Sequence, residues 1–313
     1  MKIVFFGSAH FAVLSLKALF KSRHELVCVV TQPDKHKGRH LQLAATDVKN
    51  TVITSGLRIF QPENVNNQDS VKFLKSLDAD LFIIVAYGQI LSQEVLDIPK
   101  IMPINIHASL LPRYRGAAPI NWAIINGDKK TGVTIMYVTF KMDSGPVIMQ
   151  KEIKIEDKDT AVNLEEKLSL CGSQLLMDTL VLIDNRDYRL VEQNEDEVVY
   201  APKMIKEMGL IDWNTPAVNI HNQVKGVIPW PGAFTSYHQK ILKIFKTQVL
   251  PIFSSQKPSC GEVIRADKHG IVVACGRGFL EINELQLEAG KRMSAQNFII
   301  GHKLVAGEIL GKK

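Results

Sequence analysis

The first two thirds of the chain alternate between short apolar runs and stretches with apolar residues at helical spacing. Residues 2–6 (KIVFF) and 25–31 (ELVCVVT) are compact apolar runs typical of strands, and residues 11–20 (FAVLSLKALF) between them fit a helix. Residues 80–86 (DLFIIVA) are almost continuously apolar, as in a central parallel strand that is covered on both faces. This strand-helix-strand order predicts an α/β fold with a Rossmann-like, doubly wound parallel sheet and right-handed crossovers.

The pattern continues to about residue 190. A long amphipathic stretch at residues 160–183 predicts a helix with Thr160 as its N-cap, and residues 147–155 predict an antiparallel edge strand. Shorter signals predict the remaining elements, which are strands at residues 57–60 and 131–140 and helices at residues 71–77 and 120–126. We assign residues 1–190 to one Rossmann-like catalytic domain.

A different pattern fills the last third of the chain. Residues 187–211 are polar, acidic and rich in turn residues, so we expect the domain junction there, with a linker over residues 191–207. Beyond it, short strand-like runs are separated by Gly and Pro, at residues 233–237, 241–245, 261–265, 270–274 and 279–285. Strands of this length and punctuation predict a smaller, OB-like β-barrel domain over residues 208–313.

Positive charge is concentrated in this last third. Residues 208–313 hold 13 Lys and Arg against 7 Asp and Glu, a net charge of +6, whereas residues 1–207 hold 25 of each kind. A basic small domain attached to a neutral catalytic one suggests a polyanionic partner. RNA is favoured over a membrane because no basic amphipathic helix stands out. A solvated basic surface without a partner is the alternative.

The composition fits a soluble globular enzyme. Hydrophobic residues make up 46% and charged residues 22% of the 313 positions. No apolar run reaches the roughly 20 residues that span a bilayer, and the amino-terminal MKIVFFGSAHF predicts a first strand rather than a signal peptide. The four cysteines show no paired spacing that would indicate a disulfide framework or a zinc site, so we expect a reducing cytoplasm.

The strongest candidate for chemistry is the stretch at residues 104–119 (INIHASLLPRYRGAAP). Its first four residues alternate apolar and polar, so Asn105 and His107 project from the same face of a strand end. Ligands of open α/β sheets bind beyond the carboxyl ends of strands, and the small, Pro-punctuated residues that follow are typical of a loop at a pocket mouth. Asn can donate a hydrogen bond to a developing oxyanion, and His can do the same or transfer a proton.

A second polar site, Asp143, lies on the turn KMDSGP after the strand predicted at residues 131–140. An aspartate there could reach the same pocket, orient His107 and stabilise its imidazolium. Taken alone, an Asn-x-His pair favours a buried strand whose polar side chains are satisfied by backbone groups; the aspartate shifts the balance toward catalysis. No Ser or Cys stands beside a base as a nucleophile, and no Cys/His cluster implies a metal.

Other glycine-rich or basic segments are less specific. The first turn carries one glycine, Gly7, so the fingerprint G-x-G-x-x-G is absent and NAD is not expected. Residues 32–43 form a basic, Gly-containing loop that is either solvated or a mobile arm for phosphate groups. Arg113 and Arg115 could pair with the carboxylates of a ligand or with RNA phosphates, or with surface acids.

These motifs resemble one known family over nearly the whole chain. The Asn105/His107 pair, SLLP at residues 109–112, RGAAP at residues 115–119 and the DSG turn that begins at Asp143 are similar to the catalytic core of the formyltransferases that use 10-formyltetrahydrofolate. Within that family the resemblance is to the branch that acts on methionyl-tRNA. It implies formyl transfer from 10-formyltetrahydrofolate to the amino group of methionine carried by initiator tRNA, with no metal and no NAD.

The resemblance also implies binding residues. A backbone segment after the central strand would face the pteridine ring, and the loop after the catalytic strand would complete the folate site; these residues are Tyr87, Gly88, Gln89, Ile90, Ser109, Leu110, Leu111 and Pro112. The basic loop would contact the acceptor end of the tRNA through Lys35, Lys37 and Arg39. We expect a monomer that binds folate and tRNA but no membrane.

Formyl transfer is acyl transfer, in which an amine attacks the formyl carbon and a tetrahedral oxyanion forms. Asn105 and His107 would hold the oxyanion, and Asp143 would orient His107 and receive the amine proton, directly or through water. Rival interpretations of the same residues are a sugar-nucleotide N-formyltransferase, a formyltetrahydrofolate hydrolase and a non-catalytic RNA-binding protein of the same fold.

Overall fold

A computed structural model of the chain describes residues 1–37, 42–251 and 258–311. The chain divides into two compact units, each built from more than one segment. The first unit contains Met1–Pro119, Lys130–Lys154 and Glu165–Ala201, and the second contains Ile120–Lys129, Ile155–Leu164 and Pro202–Lys313. The first unit therefore ends at Ala201, inside the stretch 191–207 that the sequence predicts as a linker.

The strands follow one another along the chain as β1 (Lys2–Gly7), β2 (Glu25–Val30), β3 (Lys35–Lys37), β4 (Gln42–Ala44), β5 (Ile59–Phe60), β6 (Leu81–Val85), β7 (Met102–His107), β8 (Arg113–Arg115), β9 (Lys130–Tyr137), β10 (Val147–Lys154), β11 (Val199–Tyr200), β12 (Ala233–Tyr237), β13 (Lys240–Leu250), β14 (Val263–Asp267), β15 (Gly270–Ala274), β16 (Phe279–Leu287) and β17 (Met293–Ser294). The α-helices are α1 (Val13–Phe20), α2 (Asp47–Val52), α3 (Gln68–Ser76), α4 (Gln93–Leu96), α5 (Pro119–Ile125), α6 (Ala161–Asp184), α7 (Ala217–Gly226) and α8 (Ala295–Gly301).

A seven-stranded sheet of order β10-β9-β7-β6-β1-β2-β5 organises the first unit. The strands from β7 to β5 are parallel, whereas β9 runs antiparallel to β7 and β10 runs antiparallel to β9. Strands β1 and β6 are nearly continuous apolar runs because they lie inside the sheet, and Phe5, Phe6 and Phe82 are fully buried. The predicted α/β fold, with a sheet dominated by parallel strands and an antiparallel edge, is confirmed.

Helix starts follow the capping signals of the sequence. Thr46, Asn67 and Ser92 precede α2, α3 and α4, and each side-chain oxygen accepts a hydrogen bond from a backbone N–H in the first turn of its helix. These caps satisfy N–H groups that have no partner inside the helix. The helix predicted at residues 11–20 instead opens with a 3-10 turn, His10–Ala12, and becomes α-helical at Val13.

Three local predictions differ from the structure. The basic loop predicted at residues 32–43 contains the antiparallel pair β3 and β4, in which Lys35 pairs with Ala44. The strand predicted at residues 131–140 ends at Tyr137, because the chain leaves the sheet there to form the turn that carries Asp143. The strand predicted at residues 241–245 continues to Leu250, because irregular pairing between Ile244 and Thr247 interrupts the alternation on which the prediction relied.

The second unit is built on an antiparallel sheet of order β12-β13-β16-β15-β14, to which β17 adds by pairing with β16. Its inner face is apolar, with Leu242, Ile271, Leu280 and Ile282 fully buried. Helix α7 packs against β13. Among the described residues, no helix is both long enough and apolar enough to cross a lipid bilayer.

Candidate active site

The end of β7 carries the first two candidate residues. Asn105 pairs with Ile84 of β6 on one side and with Met136 of β9 on the other, so the strand is held in the interior of the sheet. His107 is the last residue of β7 and is only 6% exposed, whereas Asn105 is half-buried. The spacing of two places both side chains on one face of the strand.

His107 is held by a backbone carbonyl. Its Nε2 atom lies 2.9 Å from the carbonyl oxygen of Tyr114, which has a left-handed backbone with φ of 64°. Because a carbonyl oxygen only accepts, Nε2 is the nitrogen that carries hydrogen in the neutral ring. The second nitrogen, Nδ1, lies 3.7 Å from Oδ2 of Asp143. That separation is too long for a direct hydrogen bond, so Nδ1, when the ring is protonated, can donate to an oxygen atom that enters the site.

Asp143 is fixed by a separate contact. Its Oδ2 accepts a hydrogen bond from the backbone N–H of Gly116 at 2.8 Å, and its side chain is 14% exposed. Asp143 has φ of 50°, a left-handed conformation that aspartate tolerates better than most residues. The structure therefore brings the three candidate residues of the sequence, Asn105, His107 and Asp143, into one site from the end of β7 and one turn.

The side chain of Asn105 is available to a ligand. Within the described residues it forms no hydrogen bond, although it is half-buried beside His107. A half-buried amide without a protein partner is costly unless water or a ligand satisfies it. Asn105 can therefore donate to an oxygen atom in the pocket.

The loop after β7 is shaped by hydroxyl groups. Ser109 is fully buried, and its Oγ donates to the carbonyl oxygen of Arg113 at 2.6 Å. Thr134 of β9 accepts from the N–H of Leu111 and donates to the carbonyl oxygen of Ser109. Gln150 of β10 donates to the carbonyl oxygen of Leu111 at 2.8 Å. The Ser109 hydroxyl is thus engaged in shaping the loop; Thr134 and Gln150, which sequence reasoning missed, help to fix it.

The remaining residues of this loop are Leu110, Leu111 and Pro112. The peptide bond between Leu111 and Pro112 is cis, Leu111 is buried and Pro112 is partly exposed. The side chain of Leu110 lies over the backbone of Gly132 in β9, where a Cβ atom would lie about 2.5 Å from Leu110 Cδ2. The loop is consequently packed on the sheet rather than extended into solvent.

The segment after β6 presents mainly its backbone. Tyr87 is 2% exposed, its ring packs edge-on against Phe6, and burial raises the pKa of its phenol. Gln89 accepts from the N–H of Val65 at 2.9 Å through its side chain and so holds a neighbouring loop. Gly88 has φ of 90°, which suits glycine, and Ile90 is 65% exposed. The side chains of Tyr87 and Gln89 therefore stabilise the fold around this segment.

The basic loop is only partly described. Lys35 is exposed on β3, and Lys37 is the last residue of that strand. Arg39 lies outside the described residues.

The structure identifies the partners of Arg115, which the sequence left undecided. It is 1% exposed, and its guanidinium donates to Oε1 of Gln193 and to the carboxylate of Glu195, with the shortest contact to Glu195 at 2.7 Å. Hydrogen bonds from Arg115 and then from Lys141 lower the pKa of Glu195 to about 2. Gln193 and Glu195 lie in a polar stretch whose composition indicates a solvated connection. The only signal that could have identified them as partners of Arg115 is that a buried arginine needs an acid.

Within the part of the chain that the structure describes, no group of three or more His, Cys, Asp or Glu side chains is arranged to hold a metal ion. The polar groups that converge on the pocket are instead an amide, an imidazole and a carboxylate, beside a buried loop without an adjacent nucleophile. These groups can donate to an oxyanion and accept a proton, so the chemistry that the set supports is that of an acyl-transfer enzyme.

Comparison with known proteins specifies this class. Residues 1–180 match the formyl transferase family and residues 203–303 match the formyl transferase C-terminal domain, so the chain belongs to the formyl transferase family. It is 43% identical over 312 residues to a methionyl-tRNA formyltransferase of Acetivibrio thermocellus, with 100% of both chains covered. It is 42% identical over 311 residues to that of Caldanaerobacter subterraneus, covering 99% of this chain and 100% of the relative.

Solved structures share the fold at low sequence identity. An N-formyltransferase from Helicobacter canadensis in complex with folinic acid and dTDP-3-aminofucose superimposes with a TM-score of 0.66 and 19% identity, covering 90% of this chain and 98% of that one. HypX from Aquifex aeolicus in complex with tetrahydrofolic acid gives a TM-score of 0.62 at 18% identity and covers 96% of this chain and 47% of that one. These likenesses show the fold alone.

Proposed function

We propose that the chain transfers the formyl group of 10-formyltetrahydrofolate to the amino group of methionine carried by initiator tRNA. The observation that carries the proposal is the match at about 42% identity, over essentially the full length of both chains, to relatives named methionyl-tRNA formyltransferase. The site supports it, since Asn105, His107 and Asp143 supply the groups that acyl transfer to an amine needs.

The proposed reaction begins when the amine nitrogen attacks the formyl carbon and the carbonyl oxygen becomes an oxyanion. The Asn105 amide, which has no partner among the described residues, donates to this oxyanion. The protonated Nδ1 of His107 is the second donor, because its Nε2 is occupied by the carbonyl oxygen of Tyr114. Two donors fixed before the reaction stabilise the developing charge without reorganisation.

Asp143 has two roles in this scheme. Its carboxylate faces His107 Nδ1 at 3.7 Å and stabilises positive charge on the imidazole. It also receives the proton that the attacking amine loses, directly or through a water molecule. When the tetrahedral intermediate collapses, the bond between the formyl carbon and N10 breaks, the proton held by Asp143 passes to N10, directly or through water, and tetrahydrofolate leaves.

The folate site is proposed at the two segments that border these residues. Ser109, Leu110, Leu111 and Pro112 form one wall, with Ser109 acting through the loop shape that its hydroxyl maintains. Residues 87–90 form the other wall mainly through their backbone, since the Tyr87 ring lies in the core and the Gln89 amide is bonded to Val65.

The second unit is proposed to bind the tRNA. A cleft of about 1110 Å³ lies within it, lined by Lys129, Lys158, Lys225, Lys246 and Arg292 and by three acidic residues, Asp128, Glu156 and Asp157. Lys129 is paired with Asp157 and Arg292 with Glu284, which leaves Lys158, Lys225 and Lys246, together with the net charge of +6 on residues 208–313, to support binding of a phosphate backbone. We propose that β12 to β16 form an OB-like barrel whose basic face binds along that backbone.

The arm that meets the acceptor end is proposed to carry Lys35, Lys37 and Arg39, as the resemblance implies. Transfer would take place in the cytoplasm on a monomer of this chain.

A sugar-nucleotide N-formyltransferase is the second candidate because such an enzyme shares the fold. The basic second unit favours the tRNA substrate, since a nucleotide-sugar does not need an extended basic surface.

The test is turnover of 10-formyltetrahydrofolate by the purified protein with three acceptors in parallel: methionyl initiator tRNA, deacylated tRNA and an amino-sugar nucleotide. Formyl transfer to the charged tRNA alone is the expected result. Transfer to the sugar, or consumption of the folate without any acceptor, would overturn the substrate while keeping the chemistry. Tight RNA binding without folate turnover would overturn the enzymatic proposal.

A further inference from the structure

The side-chain amide of Gln193 bridges two carbonyl groups of the turn that carries Asp143. The Nε2 atom of Gln193 donates to the carbonyl oxygen of Asp143 at 2.9 Å and to that of Gly145 at 2.7 Å. Asp143 is in the left-handed region, so its backbone conformation needs support from its surroundings. Gln193 supplies this support from a different segment of the first unit.

Arg115 determines which way the Gln193 amide points. Its Nε and one terminal nitrogen donate to Oε1 of Gln193 at 3.0 and 2.8 Å. A guanidinium group only donates, so it selects the amide oxygen and leaves both hydrogens of Nε2 for the carbonyl groups of the turn. Arg115 is itself buried, and Glu195 balances its charge.

The same two segments hold both ends of Asp143. The backbone N–H of Gly116, next to Arg115, binds the Asp143 carboxylate, while Gln193 binds the Asp143 carbonyl group. The segment that carries Gln193 is also attached by its backbone: Val191 and Val147 exchange two hydrogen bonds, and β11 pairs with β8. This segment is therefore part of the frame of the site rather than a free connection.

We propose that Gln193 is a positioning residue for the formyl-transfer site: oriented by Arg115, it holds the turn that sets the Asp143 carboxylate against His107. The inference rests on the proposed function, because it assumes that Asp143 takes part in the reaction. Gln193 acts through Asp143 and does not touch substrate. Its loss therefore lowers kcat while KM for folate and for tRNA stays nearly unchanged.

Gln193→Glu is the most discriminating variant. A glutamate keeps the length of the side chain and its pairing with Arg115, but it replaces the donor Nε2 by an acceptor that faces two carbonyl oxygens. Gln193→Met removes both the donor and the acceptor without adding charge. Glu192→Gln is the matched control, since Glu192 is the exposed neighbour on the same segment.

The first measurement is steady-state kinetics with the full chain, alongside thermal unfolding. We expect kcat to fall by about 10- to 100-fold in both Gln193 variants, with KM within about twofold, because a displacement of about 1 Å in a catalytic group can cost this much. Glu192→Gln keeps the parent kcat. A parent-like kcat in Gln193→Glu, or a loss of activity that only follows a loss of folded protein, would overturn the proposal.

The second measurement needs no turnover, so it separates this inference from the proposed function. The ¹⁵N imidazole signals of His107, assigned by their loss in His107→Gln, are recorded at one pH for the parent, Gln193→Met, Glu192→Gln and Asp143→Asn. We expect Gln193→Met to displace these signals from their parent positions, as Asp143→Asn does, while Glu192→Gln leaves them in place. Parent-like His107 signals in Gln193→Met would overturn the positioning role, even if the parent protein formylates a different acceptor.

Discussion

Nδ1 of His107 and Oδ2 of Asp143 face each other at 3.7 Å, with the other imidazole nitrogen already bonded to the carbonyl oxygen of Tyr114. The two ring nitrogens therefore have different roles: Nε2 holds the ring in place, and Nδ1 is left to contact a ligand. The carboxylate is anchored in turn by the N–H of Gly116. The pair is thus preorganised by backbone groups on both sides, which is the condition for stabilising charge in a transition state.

Asp143→Asn tests the charge of this pair without disturbing its backbone. Asparagine tolerates a φ of 50°, and its amide oxygen can still accept from the N–H of Gly116. We expect kcat to fall by about 10²- to 10⁴-fold, the range for loss of a group that transfers a proton. The melting temperature is expected to stay within a few degrees of the parent. A parent-like kcat would remove Asp143 from the mechanism.

Asn105→Ala tests the proposed oxyanion donor. Removal of one such donor costs about 10²- to 10³-fold in rate, and we expect a loss of this size in kcat. The half-buried amide has no partner among the described residues, so the Asn105→Ala variant should fold normally. His107→Ala should also lose most activity. Asn50→Ala, the same change at an exposed position of α2, is the control. A collapsed melting temperature in Asn105→Ala would contradict the assignment.

Gly145→Ala tests whether the catalytic turn tolerates displacement. A Cβ atom at this position would collide with the carbonyl oxygen of Tyr137, a backbone atom that cannot move away cheaply. We expect a loss of about 1–3 kcal/mol in the free energy of unfolding together with a strong loss of activity. Gly301→Ala is the control because a Cβ atom there meets nothing within 4 Å. Equal unfolding midpoints and activities for the two variants would contradict this prediction.

His221 predicts a pH dependence of stability. Burial, and then the nearby charge of Lys225, lowers the pKa of His221 to about 4 from its model-compound value of 6.5. The unfolded chain therefore binds a proton that the folded chain does not, and stability is lost as pH falls from about 6.5 toward about 4. Because the ring is only half-buried, screening by solvent limits the effect to about 1–2 kcal/mol.

His221→Asn should flatten this part of the curve. The measurement is urea unfolding of the parent and the variant at several pH values between 4.5 and 7, with the difference between the two free energies of unfolding plotted against pH. His269→Asn, at an exposed position of the same unit, is the control and should leave the curve unchanged. Parallel curves for the parent and His221→Asn would show that His221 does not titrate as described.

Cysteine reactivity tests the packing of both units. All four thiols are free, and burial raises the pKa of Cys28 and of Cys275 to about 12. Since the thiolate is the reactive form, we expect these two to react slowly with a disulfide reagent at pH 8 in the native protein. Cys260 is only half-buried and should react first. Cys260→Ser should abolish the fast phase, and rapid reaction of Cys28 would contradict the burial.

The sequence by itself determined the layout of the first unit. Continuous apolar runs such as residues 80–86 indicated central parallel strands, because a strand covered on both faces has no polar side to show. The strand end at Asn105 and His107 could also be located, since alternation fixes which side chains share a face. The roles of these residues came from chemistry and from the family resemblance, and they stay predictions that the variants above address.

Only the tertiary structure decided what surrounds these residues. Gln193 and Glu195 lie in a stretch whose composition indicates a solvated connection, yet they meet Arg115 and the Asp143 turn. Local sequence reports periodicity and turn propensity, whereas a hydrogen bond between segments far apart in the chain depends on where the whole fold places them. The carbonyl partner of His107 was hidden for the same reason, because every residue has a carbonyl group and only the fold determines which one lies 2.9 Å from the ring.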